Sequence, residues 1–120
     1  MERSWYCGYL SDLYKIPPTL TISNDCTWIG ARVFYYCNRL KEVVISGSVE
    51  SIGFSAFEGC KKLEKVEISG NVDWINSNAF RGCTKAAIIL KKSKSELKYV
   101  GKDAFIRCKS VEYAEEKARN

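Results

Sequence analysis

The sequence predicts an α/β solenoid of about four stacked 23-residue coils. A parallel β-sheet is expected on the concave face, with short helical turns and short second strands on the return side. Three observations carry the prediction. Cys37, Cys60, Cys83 and Cys108 are separated by 23, 23 and 25 residues. Three positions before each cysteine stands an aromatic residue, Phe34, Phe57, Phe80 or Phe105, itself preceded by Val33, Ala56, Ala79 or Ala104. The alternating pairs Leu20/Ile22, Val43/Ile45 and Val66/Ile68 recur at the same period. Units repeating at such a period bury their apolar faces only by stacking on their neighbours.

Composition sets the outer limits. The chain has 120 residues, room for one domain, and its 46% hydrophobic and 28% charged fractions are those of an ordinary globular protein. It contains no histidine, which removes Ser-His-Asp and Cys-His catalysis and imidazole zinc sites. No apolar run reaches the ~18 residues that a membrane span needs. The start, Met1-Glu2-Arg3-Ser4-Trp5, lacks the profile of a secretory signal. The chain is therefore expected inside the cell, unless it is a piece of an exported protein. A net charge of +5 is mild and lacks the sharp basic cluster of a dedicated nucleic-acid binder.

Each element has a local reason. In residues 1–19, Trp5, Tyr6, Tyr9, Leu10, Leu13 and Tyr14 have helix-like spacing and are expected to cap the first coil before Pro17-Pro18 ends the segment. In Glu42-Val43-Val44-Ile45-Ser46, alternation turns Val43 and Ile45 inward and the other three outward. Gly47 and Gly70 suit the sharp turn that follows, and Val49 and Ile52 begin the return. Ser55, Asn78 and Asp103 precede Ala-Phe as expected caps of short helices. On such a helix Phe57 and Cys60 share the inner face, and Glu58 and Lys62 pair outside. Stacking then predicts an aromatic spine beside a cysteine column. The solenoid is assigned to residues 20–114 and a polar tail to 115–120, with Glu112–Lys117 shielding the last strand.

A period of 23 lies within the 20–29 range of leucine-rich repeats. The run from Leu40 through Val43, Ile45, Ser48, Val49, Ile52, Gly53, Ala56, Phe57 and Cys60 to Leu63 resembles the BspA-like, or treponemal-type, leucine-rich repeat. The resemblance covers about residues 20–114, and the Ala-Phe-x-x-Cys box is its specific part. Gly47 and Gly70 depart from the family's usual proline position, and the last copy carries a two-residue insertion. The resemblance implies a non-catalytic scaffold that binds other proteins, often at a cell surface. It carries over no binding residues, because the motif marks the scaffold and leaves the contact face variable.

The reactive residue types read mostly as structure. Zinc ligands come in close pairs, whereas these cysteines are 23 or more residues apart, so Cys37, Cys60, Cys83 and Cys108 are expected as small apolar core groups. Cys26 falls in the register of Val49 and Val72 and is also assigned to the core. Cys7 lies outside the repeats and is the candidate exposed thiol. Asp12, Asp25, Asp73 and Asp103 fall at turns or caps, and no carboxylate pair or phosphate loop is evident. No enzymatic activity, cofactor or metal is therefore expected. The basic run Lys91–Lys98 reads as a solvated loop in an irregular fourth copy, with an anionic-surface role as its alternative.

Solenoids offer an extended surface, and the expected function is protein binding on the concave face. The assigned contact residues are Thr21 and Ser23; Glu42, Val44 and Ser46; Lys65, Glu67 and Ser69; and Ile88 and Leu90, with Thr19 at the edge. Counting 23 residues from Glu67 makes Leu90 a member of the middle row Thr21, Val44, Glu67. Ile88-Ile89-Leu90 admits either of two registers. The rival readings are a fragment of a surface adhesin and a nucleic-acid binder using Lys91–Lys98.

Overall fold

The computed structural model describes residues 4–5 (backbone), 16–22 and 25–116. Among them lie ten strands: β1 (Ser4–Trp5), β2 (Thr19–Ile22), β3 (Trp28–Ile29), β4 (Glu42–Ile45), β5 (Ser51–Ile52), β6 (Lys65–Ile68), β7 (Trp74–Ile75), β8 (Ala87–Ser93), β9 (Tyr99–Val100) and β10 (Ser110–Ala114). They form two parallel sheets, one ordered β1-β2-β4-β6-β8-β10 and the other β3-β5-β7-β9. Four successive coils each contribute one strand to each sheet, and β1 and β10 extend the first sheet at its two ends. This is a β-solenoid of about four turns.

The interior follows the repeat. Leu20, Val43, Val66 and Ile88 form one in-register row of the first sheet, and Ile22, Ile45, Ile68 and Leu90 form the next. All are buried. Ile29, Ile52 and Ile75 close the core from the second sheet. The expected aromatic spine is present: ring centroids are 5.0 Å apart for Phe34 and Phe57, 5.1 Å for Phe57 and Phe80, and 5.8 Å for Phe80 and Phe105. These values track the ~4.7–4.9 Å spacing of hydrogen-bonded strands.

The return turns differ from expectation. They are tight turns, with Glu58 N donating to Ser55 O at 3.2 Å and Cys60 N donating to Phe57 O at 3.3 Å, and no α-helix forms among the described residues. Ser55, Asn78 and Asp103 are not helix caps. They sit at φ of 55°, 61° and 61°, in the left-handed region, where a cap requires extended backbone. Asn and Asp tolerate that conformation because their short polar side chains bond locally. Backbone bonds instead run between coils: the amides of Phe34, Phe57 and Phe80 each donate at 2.8 Å to the carbonyls of Ala56, Ala79 and Ala104. Glycine at position 53 has a plain cause. A Cβ there would stand 2.6 Å from the Ile29 carbonyl oxygen of the coil beneath, and at Gly101 one would stand 2.4 Å from Ser77 N.

The fourth copy changes length in two places. Val66 pairs with Ile88 and not with residue 89, so one residue is missing between Ala86 and the strand. The chain then recovers. β8 runs on to Ser93, and a 3-10 turn at Lys94–Glu96, closed by Ser93 and Glu96 in a capping box, absorbs the extra residues before Val100 returns to register with Ile75. Val111 follows Cys108 by three residues, as Leu40 and Leu63 follow Cys37 and Cys60, yet it takes the strand position of Val66 and Ile88. Residues 110–114 thus do not shield the last strand; they are that strand. The expected capping helix of residues 5–14 lies outside the described residues, apart from Trp5, whose backbone belongs to β1 and pairs in parallel with β2.

Candidate functional site

The outward face of the first sheet carries the sequence-assigned residues in rows. Strand register places Thr19, Glu42, Lys65, Ala87 and Ser110 in one row, and Thr21, Val44, Glu67, Ile89 and Glu112 in the next. Glu42, Val44, Lys65, Glu67 and Ile89 are half-buried. Ser46 and Ser69 follow at the strand ends. Ser46 Oγ donates to the Ile22 carbonyl at 2.6 Å, tying its hydroxyl to the scaffold. Ser23 lies outside the described residues. Lys65 Nζ and Glu67 Oε2 are 3.1 Å apart, an exposed pair that orients both ends and adds little stability.

Ile88 and Leu90 are a correction. Both point into the core, at 0% and 3% exposure, and neither belongs to the open face. The missing residue after Ala86 shifts the strand by one, and a one-residue slip moves every side chain to the other face. Ile89 therefore takes the place assigned to Leu90 beside Glu67. Ala87, Ile89 and Lys91 share a side of the strand, and a lysine at Lys91 has to face water. That signal was available in the sequence.

The lysine run is partly spoken for. Lys92 makes a charge-assisted hydrogen bond to Asp73 Oδ1, and Lys98 Nζ lies 3.7 Å from Asp73 Oδ2. The Lys92 hydrogen bond, helped by the charge of both lysines, holds the Asp73 carboxyl below its usual range. Lys94 stands over the Tyr113 ring at 5.9 Å.

The cysteine column faces inward. Cys60, Cys83 and Cys108 donate through Sγ to the carbonyls of Phe34, Phe57 and Phe80 in the preceding coil, at 3.2, 3.1 and 3.2 Å. Cys37, Cys60 and Cys83 are buried free thiols, and Cys108 is free and half-buried at the end of the column. Hydrogen bonding to Cys83 and burial raise the Cys108 thiol. Cys26 is buried and disulfide-bonded, and its partner lies outside the described residues. Cys7 lies outside them as well. Among the described residues no group of three or more His, Cys, Asp or Glu is placed to hold a metal ion, and no helix is long and apolar enough to cross a membrane.

The second sheet presents a feature that the sequence reading did not single out. Trp28, Ser51, Trp74 and Tyr99 form one outward row, and Trp28, Trp74 and Tyr99 are exposed. Three large aromatics in four equivalent positions were visible in the repeat alignment as a departure from polar surface.

The fold agrees with comparison to known proteins. A leucine-rich repeat protein from Bacteroides ovatus, known from a crystal structure, superposes with a TM-score of 0.66 at 28% sequence identity. The match covers 82% of this chain and 30% of that one, so the chain spans under a third of its length. No curated protein matches. The BspA type leucine rich repeat region matches residues 15–117 in six copies, and the chain belongs to that family.

Proposed function

We propose that the chain is a non-catalytic interaction module that binds another protein on the outward face of the first sheet, the concave face of the repeat. The observation carrying this reading is the middle row Thr21, Val44, Glu67, Ile89. It sets two aliphatic groups among hydroxyl and carboxylate groups on a face with rigid backbone spacing. Interface energy concentrates in a few central residues, and mixed apolar and polar groups at fixed spacing suit such a center. Membership of a repeat family whose members commonly serve as interaction modules supports the same reading. Residues 20–114 form the binding solenoid, with 1–19 and 115–120 as its flanks. An anionic partner at the lysine run is the less favoured reading, because Lys92 and Lys98 share the Asp73 carboxylate and Lys94 stands over the Tyr113 ring.

The test is capture of partners from native lysate by the chain and by two double variants. Val44→Arg with Glu67→Arg should abolish capture while the melting temperature stays within a few degrees, since neither end is in the core. Lys61→Glu with Arg81→Glu, on the return side, should leave capture intact. The reverse outcome would move the interface to the return side.

A further inference from the structure

On the second sheet, away from the proposed protein-binding face and independent of it, the molecule carries a notch of about 440 Å³. Thr27, Trp28, Glu50, Ser51, Trp74 and Asn76 line it. Its shape comes from register. Ser51 stands between Trp28 and Trp74 on adjacent parallel strands, so a small side chain forms the floor and an indole forms each wall. The indoles are 51% and 44% exposed. The floor is held by Asn76, which replaces the glycine of the other copies. Its Nδ2 donates to the Ile52 carbonyl at 2.9 Å and lies 3.4 Å from Ser51 Oγ.

Charge and distance narrow the ligand. The one ionised side chain in the lining is the exposed carboxylate of Glu50, in a chain of net charge +5. The adjoining hollow shares Thr27 and Glu50 and adds Asp73, whose charge Lys92 and Lys98 offset. Strand register, the same that spaces the phenylalanine rings by 5.0 and 5.1 Å per coil, sets the backbone positions of Trp28 and Trp74. Positions two strands apart therefore stand about 10 Å apart. A flat ring makes carbon contacts at ~3.5–4.0 Å on each side, so it fills about 7–8 Å and touches only one wall. A cation centered in the gap stands about 5 Å from each wall, within the ~6 Å reach of cation–π attraction.

We propose that this notch binds a trimethylammonium group, with Trp28 and Trp74 as the walls and Glu50 as the counter-charge. A quaternary ammonium has no hydrogen bonds to lose on leaving water, and its methyl shell fills the gap that a bare lysine ammonium leaves open. The group is that of a choline or of a trimethylated lysine.

Isothermal titration of the intact chain tests this with three probes. These are choline chloride, the acetylated amide of trimethyl-lysine, and 3,3-dimethyl-1-butanol, a neutral choline isostere. Saturable binding of a cationic probe, with the neutral isostere several-fold weaker, is the expected result. The tighter of the two cations identifies the source. Trp28→Ala and Trp74→Ala should each weaken binding about two- to fivefold, the loss of one exposed cation–π contact. Glu50→Gln should weaken it with unchanged circular dichroism. Equal binding of the isostere, indifference to Trp74→Ala, or no saturable binding of either cation would overturn the assignment.

Discussion

The thiol of Cys83 donates to the carbonyl oxygen of Phe57, one coil beneath it, at 3.1 Å. The bond uses the last polar group on a side chain otherwise buried, and it explains why the column tolerates sulfur in an apolar core. Cys60 and Cys83 should therefore resist alkylation in the folded chain and react after denaturation. Rapid native labelling of both, followed by mass spectrometry, would contradict the geometry.

The cysteine column also sets a pH dependence. The hydrogen bond with Cys108 favours the Cys83 thiolate, but hydrogen bonding with Cys60 and burial outweigh it, and the thiol is pushed up to about 12 from 9.0. Folding thus favours the protonated form. Its contribution is complete below about pH 9 and is lost as pH rises from 9 toward 12. Urea melts at pH 8, 9.5 and 11 should show a steeper loss in the parent than in Cys83→Ser, which has no thiol to titrate. Parallel losses would contradict this.

Phe80 lies between two stacked rings, at 3° to Phe57 and 12° to Phe105. Phe80→Ala should cost ~3–5 kcal/mol, a large share of a small domain's stability. Thermal denaturation followed by circular dichroism measures it, and an unchanged midpoint would refute the spine.

Register in the fourth coil can be tested by a neighbouring pair. Ile88→Ala should cost ~2–5 kcal/mol as a core truncation, whereas Ile89→Ala should cost well under that, its side chain being half in water. Equal losses would mean that β8 is placed wrongly.

Glycine positions separate by space alone. Gly53→Ala should destabilise by about 1–3 kcal/mol, because its Cβ meets backbone that cannot swing aside. Gly47→Ala should be nearly neutral, the nearest atom being 3.7 Å away on the Asn71 side chain. Denaturant midpoints of the two variants decide it.

Most of the scaffold was legible because it is written several times. Phe34, Phe57, Phe80 and Phe105 occupy one slot, and only a stacked coil puts them in contact. The register error falls where one copy stands alone. Leu90 was placed outward by counting 23 residues, but a shortening of one residue is invisible to a count and decisive for a strand of period 2. Ser55, Asn78 and Asp103 were read as caps because the same residue types favour both a cap and a left-handed turn. The rows of the first sheet were foreseen through β6. The tryptophan notch was not, since it depends on a serine lying between two indoles that are 46 residues apart in sequence and two strands apart in space.

The bonds from the amides of Phe34, Phe57 and Phe80 to the next coil's alanine carbonyl, and from Cys60, Cys83 and Cys108 back to the coil beneath, join neighbouring coils as the sheet ladders do. A pull on the ends of the chain therefore loads one inter-coil seam at a time, and the seam parts like a zipper. Each coil released frees about 23 residues, or roughly 80 Å of extended chain. Under tension the molecule becomes a ratchet of short lengths, yielding by instalments where a closed globule would give way at once.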